Sequence, residues 1–295
     1  MAPTTAASDA LRPFCLASSA TAEFDATLAA VRSALADKGF TVHGEYRPEN
    51  LPGEAGQAAA VLICNNSDVQ RAAAKSEHGG YALAQRVAVT QVGDEVQVSY
   101  VNPVYLAQAY RLEDDLQAVA DQLQAALCPA GAAPQDFGSA KGLAAKKLRS
   151  YHYTVGMEYF SNPYVLGTFD SQAAAVAAVE RGLEAQESVG AICRLDVQGK
   201  DESIFCVSMR AGATGDKHMD DGHQMQVVDF QALRATAYLP YEIMVSGGRV
   251  LALHMRFRMA VMFPDLKMMG AHSFMKLKSS PEAIKKALAA VVKAA

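Results

Sequence analysis

Two long segments carry a helical spacing of apolar residues and open alike. Residues 24–42 begin Phe-Asp and place Leu28, Val31 and Leu35 three and four apart, which makes one apolar stripe on a helix. Residues 169–187 begin Phe-Asp again and place Val176, Val179 and Leu183 in the same way. Asp25 and Asp170 are the N-caps expected for these helices, because a short carboxylate accepts from the free amides of the first turn. Residues 82–101 and 236–255 read as β-hairpins, with Gly93-Asp94 and Gly247-Gly248 at the turns. Each unit then ends in another helical stripe. The first runs through Leu112, Leu116, Val119, Leu123 and Leu127. The second runs through Ile284, Leu288 and Val291 and is opened by Ser280-Pro281.

The chain therefore reads as a tandem repeat. The remaining strands are expected at 40–46, 59–64 and 86–90, and at 151–159, 190–197, 203–209, 225–230 and 241–246. Strand, helix, several strands, helix is the order of an α+β domain: a mostly antiparallel sheet with helices on one face. The domains are expected at 1–128 and 143–295. Residues 129–142, rich in Ala, Pro and Gly, form a linker between them. A pseudo-twofold pairing of the two sheets is the natural arrangement of such a repeat.

The copies are unequal. The offset between matching segments is 145 at the first helices (24 to 169) and 154 at the hairpin turns (93 to 247). The second copy therefore holds extra chain, expected near 211–226 and near 262–276. Methionine and histidine follow the same asymmetry. Only Met1 of the 12 methionines precedes residue 150, and five of the seven histidines follow it. Charge divides too. Residues 1–140 hold 8 Lys+Arg and 16 Asp+Glu (−8), and the remainder 19 and 15 (+4), which together give the net −4. The second copy is the expected binding half, and the first a structural or dimerising partner.

The other bulk properties narrow the class. Hydrophobic residues at 51% and charged residues at 20% are a globular balance. The small negative charge gives no footprint for nucleic acid. No apolar run reaches membrane-spanning length, and no secretory leader is visible, so a cytoplasmic location is expected. Five scattered cysteines are not a disulfide framework. No dinucleotide, phosphate-loop or hydrolase-elbow motif occurs.

Candidate chemistry concentrates in the second copy. In the loop 217–225, His218 and His223 could converge on a metal ion, with Met219 and Met225 as thioether neighbours; imidazole with thioether favours copper(I). The same loop also reads as a solvated polar turn. Over His254–Met259, strand alternation would set His254, Arg256 and Arg258 on one face, where two arginines beside a histidine could hold a carboxylate or phosphate. The Met-rich run 255–275 could line an apolar pocket or face a haem with His254 or His272 as axial ligand, or it could be core filler. Cys193 and Cys206 flank a turn, and are cross-strand partners if that turn is Gly199-Lys200.

Several of these words together resemble the domain-of-unknown-function 302 family. They are Leu239-Pro240-Tyr241-Glu242, Val250 to His254, Phe257-Arg258 and Phe263-Pro264-Asp265-Leu266 in the second copy. In the first they are Val61 to Asn66, Ala84 to Val89 and Val101-Asn102-Pro103. The resemblance implies two copies of a β-α-β(4)-α unit, similar in layout to TATA-binding-protein-like folds, and homodimers. It brings no catalytic set. Gln85-Arg86 stands where the second copy has Leu239-Pro240, which departs from the pattern.

The expected function is a non-enzymatic binding protein whose second copy holds a metal ion or metal cofactor, copper or haem. One alternative is an enzyme or sensor that binds a small anion through Arg256, Arg258 and His254. Another is a structural dimer module.

Overall fold

A computed structural model of the chain describes residues 10–53, 57–212 and 215–293. The first half contains β1 (Ala10–Leu11), β2 (Phe14–Thr21), α1 (Phe24–Asp37), β3 (Thr41–Tyr46), β4 (Ala59–Asn65), α2 (Ser67–Lys75), β5 (Gln85–Val92), β6 (Glu95–Val101), α3 (Pro103–Ala109) and α4 (Gln117–Leu127). A connecting strap follows, with β7 (Gln135–Phe137), β8 (Leu143–Ala144) and α5 (Ala145–Arg149). The second half contains β9 (Tyr164–Thr168), α6 (Gln172–Ala185), β10 (Val189–Asp196), β11 (Glu202–Met209), α7 (Asp221–Val228), β12 (Tyr241–Ser246), β13 (Arg249–Ala252), α8 (Met255–Met262) and α9 (Ser280–Lys293).

The two sheets follow one strand order. The first sheet has the order β3-β4-β5-β6-β2-β7 and the second β10-β11-β12-β13-β9. Apart from β7, equivalent strands occupy equivalent places, and every pairing in both sheets is antiparallel. The α+β class thus holds. Helices α1 and α4 pack together over one sheet, α6 and α9 over the other, and bury the stripes Leu28, Val31, Leu35 and Ile284, Leu288, Val291.

Some local expectations fail, each for a tertiary reason. The strand expected at 151–159 is absent; Tyr151 and Tyr153 instead pin an irregular segment by donating to the carbonyls of Ala260 and Leu266. Residues 225–230 end helix α7 rather than form a strand. The caps are not Asp25 and Asp170: α1 follows Glu23 with no side-chain cap, and Ser171 caps α6 by accepting from the Ala174 amide. In the third stripe, Leu112 and Leu116 lie in the turn before α4, where Leu116 has a φ of 56°. The linker is a tether with strands of its own. β7 pairs with β2, and β8 pairs with β1.

The sheet faces that the helices leave open meet each other. The excursion between β4 and β5 carries a 3₁₀ turn, Gly79–Ala82, onto β11 and β12. Its counterpart between β11 and β12 carries a 3₁₀ turn, Thr236–Tyr238, onto β4, β5 and β6. The exchange is reciprocal, as a pseudo-twofold pairing requires. Polar contacts cross the seam throughout. The Gly80 amide donates to Glu202 Oε2 at 3.0 Å, Thr90 Oγ1 to Thr236 Oγ1 at 2.9 Å, and Gln97 Nε2 to the Ala232 carbonyl at 3.0 Å.

At the centre of the seam lies a buried ion cluster. Arg86 Nη1 of β5 donates to Glu242 Oε1 of β12 at 2.8 Å, and Arg258 Nε of α8 lies 3.4 Å from Glu242 Oε2. All three side chains are 1% exposed. Arg258 also donates to the Tyr238 carbonyl at 2.6 Å and to the Pro240 carbonyl, and its guanidinium lies over the rings of Tyr238 (4.1 Å) and Tyr241 (4.5 Å). Burial opposes the charge on Arg258, but Tyr238, Glu242 and Tyr241 more than offset it and hold its pKa above the ordinary value.

Two cations against one carboxylate make the cluster sensitive to its acid. Removing one partner of a buried pair leaves an uncompensated charge and costs about 3–5 kcal/mol. Glu242→Gln keeps the shape and removes the charge, so its denaturant midpoint is expected to fall by that much stability. An unchanged midpoint would show that the cluster does not hold the halves together.

Candidate functional site

A concavity opens where the strap meets two segments of the second half. Its volume is about 500 Å³, within the range typical of small-molecule sites. One wall is the strap, Asp136 to Ala140; the second is the chain after α7, Val228 to Ala235; the third is Phe263, Asp265 and Leu266 after α8.

Each wall has a local cause. In the strap, β7 sets Phe137 opposite Phe14 of β2, and the rings stack 5.4 Å apart. Gly138 then turns with φ of 92°, and a Cβ there would stand 2.7 Å from Phe14 and Pro13; only glycine fits that turn. In the second wall, Asp229 ends α7 and folds the following chain around its own carboxyl, which accepts from the Ala235 amide at 2.8 Å, while its carbonyl accepts from Arg234 Nη1 at 2.7 Å. The third wall is tied to the strap through Asp265, which accepts from the Ala140 amide at 2.6 Å and from Ser139 Oγ at 3.2 Å. Phe263 packs its ring 5.2 Å from that of Tyr238.

The lining combines three aromatic rings, Phe137, Phe230 and Phe263, with three carboxyl groups, Asp136, Asp229 and Asp265, and includes no Lys or Arg. Phe230 is 43% exposed at the rim. Burial pushes the Asp229 carboxyl up to about 7, against the hydrogen bond from Ala235 and the charge of Arg234. It therefore stays protonated through the mildly acidic range and can donate a hydrogen bond as well as accept one. Asp136 accepts from Cys15 Sγ at 3.2 Å, and burial first, then the nearby Asp136 charge, pushes that thiol up.

A smaller concavity of about 310 Å³ lies in the seam between Tyr46, Glu49 and Asn50 of the first half and Arg210, Asp220 and Asp221 of the second. Asp221 is buried there. Its Oδ2 accepts from Tyr46 Oη at 2.8 Å and from the Met209 amide at 2.9 Å, and burial pushes its carboxyl up to about 7.

The residues singled out from the sequence are scattered around these features. His218 and His223 do meet, edge to face at 5.3 Å between ring centroids. Burial, followed by His218 and Lys217, holds the His223 imidazole below its usual pKa. Met219 and Met225 are buried in the core. Among the described residues no group of three His, Cys, Asp or Glu converges as a metal site, so nothing in this arrangement supports copper or haem.

The expected face of His254, Arg256 and Arg258 does not exist, because residues 255–262 are helical. His254 is the N-cap of α8. Its Nδ1 accepts from the Arg256 amide at 3.2 Å, and its Nε2 lies 3.2 Å from Glu158 Oε1. Burial pushes its imidazole down to about 4 despite the Glu158 charge. Two residues apart on a helix point to nearly opposite sides: Arg256 reaches out to Glu158 at 3.1 Å, while Arg258 is buried in the seam. His272 stacks on Phe230 at 4.0 Å and hydrogen-bonds the Val227 carbonyl. It is thus the one residue of the eight that supports a ring of the cleft. Asp229, Phe230 and Phe137 were not signalled by any motif; an Asp and a Phe after a helix are ordinary residues until the chain closes around them.

This is an α+β protein with an aromatic, acid-bearing cleft beside the strap. Residues 15–128 match the family described as "Domain of unknown function DUF302". The second half repeats the element order but lies outside the matched residues. A solved structure titled "Crystal structure of uncharacterized conserved protein DUF302 from Bacillus stearothermophilus" is similar at 18% identity, covering 37% of this chain and 92% of that one, with a TM-score of 0.33. No curated protein matches the chain. No described helix is long and apolar enough to cross a membrane.

The raised carboxyls have a consequence for stability. A group whose pKa is higher folded than unfolded favours the fold fully below its unfolded value, near 4, and loses that contribution as pH rises through its folded value, here about 7. Asp229→Asn cannot ionise. Its melting temperature is expected to match that of the wild type near pH 4 and to exceed it by several degrees at pH 8. Parallel melting curves across that range would exclude a buried neutral Asp229.

Proposed function

We propose that the protein binds a small, flat, largely apolar molecule that is neutral or carries an amine, in the cleft between the strap and the segments after α7 and α8. The observation that carries this reading is the lining itself. Phe137, Phe230 and Phe263 offer ring faces, Asp136, Asp229 and Asp265 offer carboxyls, and no cationic side chain lines the space. Rings supply area and stacking. A protonated Asp229 supplies a directional donor, and when ionised it favours an amine. Anionic ligands would face three carboxyls with no cationic side chain in the lining. The cleft is lined by the strap and the second half. The five free cysteines suit a reducing compartment such as the cytoplasm.

Two measurements test the reading. A native mass spectrum of the purified chain shows any retained small molecule. A thermal-shift series then compares neutral and amine-bearing aromatics with aromatic carboxylates of the same size. The neutral and amine compounds are expected to stabilise the protein and the carboxylates are not. Phe230→Ala, which alters only a half-exposed rim ring, is expected to weaken the best binder about tenfold, or ~1.4 kcal/mol. Stabilisation by carboxylates alone, or no effect of Phe230→Ala, would defeat the proposal.

A further inference from the structure

Cys193 and Cys206 stand directly opposite each other in the β10–β11 ladder. On this row Cys206 is also opposite Glu242 of β12, so the row runs from Cys193 through Cys206 to the acid of the seam cluster. The neighbouring row faces the other way: Arg194 reaches to Glu180 of α6 and lies over the Phe205 ring. Cys193 rests on the bare backbone of Gly44 in β3, where a Cβ would stand 3.1 Å from its sulfur. The two thiols therefore occupy the inter-half face, Cys193 half-buried at the sheet's edge strand and Cys206 fully buried.

We propose that Cys193 and Cys206 are a reversible thiol–disulfide pair that exchanges with low-molecular-weight disulfides of the glutathione type. The sulfur of Cys193, the accessible member, attacks one sulfur of the small disulfide, whose S–S bond breaks and releases one thiolate. Cys206 then gives up its proton and attacks the Cys193 sulfur, displacing the second small thiolate and closing the cross-strand bond. The two protein thiols lose two electrons and two protons, and the small disulfide leaves as two thiols.

Three features favour this chemistry. The register already sets the two side chains opposite each other. Directly opposed strand residues hold their Cβ atoms about 4.5–5.5 Å apart, and a disulfide needs about 3.5–4.5 Å, so closure asks for a contraction of about 1 Å. β10 can supply it, because it is an edge strand with a bulge between Ala191 and Cys193. A bond formed under that strain is readily reduced again. The local hydrogen bonding also divides the roles. Cys206 holds the Cys193 pKa below the usual thiol value, while Cys193 and burial raise that of Cys206. The attacking sulfur is the more ionised one and the resolving sulfur the less.

The test uses the full chain equilibrated across ratios of oxidised to reduced glutathione, quenched with acid, alkylated and digested for mass spectrometry. A linked 193–206 peptide pair, lighter by two hydrogens than the two thiols and restored by excess reduced glutathione, is expected, with Cys64 remaining a thiol. Cys206→Ser is expected to stop at a glutathione adduct on Cys193, and Cys193→Ser to form neither product. Two results overturn the proposal without reference to any variant. One is both residues remaining thiols at the most oxidising ratio. The other is a wild-type Cys193 adduct that never resolves.

Discussion

The structure depends on how one carboxylate manages two buried guanidiniums. Glu242 accepts from Arg86 of the first half and pairs with Arg258 of its own half, where none of the three meets solvent. Desolvating such groups costs several kcal/mol each unless the geometry returns it. The return comes from three sources: the shared acid, the carbonyls of Tyr238 and Pro240, and the tyrosine faces on either side of Arg258. Because such interactions tolerate little displacement, the cluster fixes the register of one sheet over the other. Arg86 stands in the place of Pro240 because the first half supplies the cation and the second the acid.

That register in turn places the cleft. The loop after α7 can reach the first sheet only because the 3₁₀ turn Thr236–Tyr238 is seated on β4, β5 and β6. Arg234 and Ala232 close the same segment against Gln97 of β6. The strap approaches from the other side, held by β2 and by Asp265. The cleft is therefore a by-product of docking two sheets and spanning the gap with an Ala- and Gly-rich connection. The position of Asp229 that organises the loop is also the one that raises its pKa: burial opposes the charge more than the Ala235 amide and Arg234 support it.

The methionine asymmetry has a different meaning from the one its chemistry suggests. Met209, Met225, Met244, Met255, Met259 and Met262 are all at most 2% exposed, and they fill the second core, where an unbranched side chain adapts to the irregular space around α7 and α8. Only Met268, Met269 and Met275 reach solvent as large exposed side chains. Composition identified the half that differs, yet the sulfur is mostly packing. The imidazoles of His218 and His223 do meet, but the thioethers beside them belong to the core. His254 is occupied with capping a helix that alternation alone could not distinguish from a strand.

From the sequence alone came the α+β class, both long helices with their buried stripes, the hairpins and most strands, because each of these is set by the period of apolar residues and the turn residues within one element. The conditional pairing of Cys193 with Cys206 was also legible, since a short turn fixes register locally. Tertiary structure alone decided that the two open faces cover each other, that Arg258 is buried while Arg256 is not, that 225–228 and 255–262 are helical, and that burial raises the Asp229 carboxyl. Each of these depends on partners more than a hundred residues distant or on the solvent that docking excludes, and neither leaves a period in the chain.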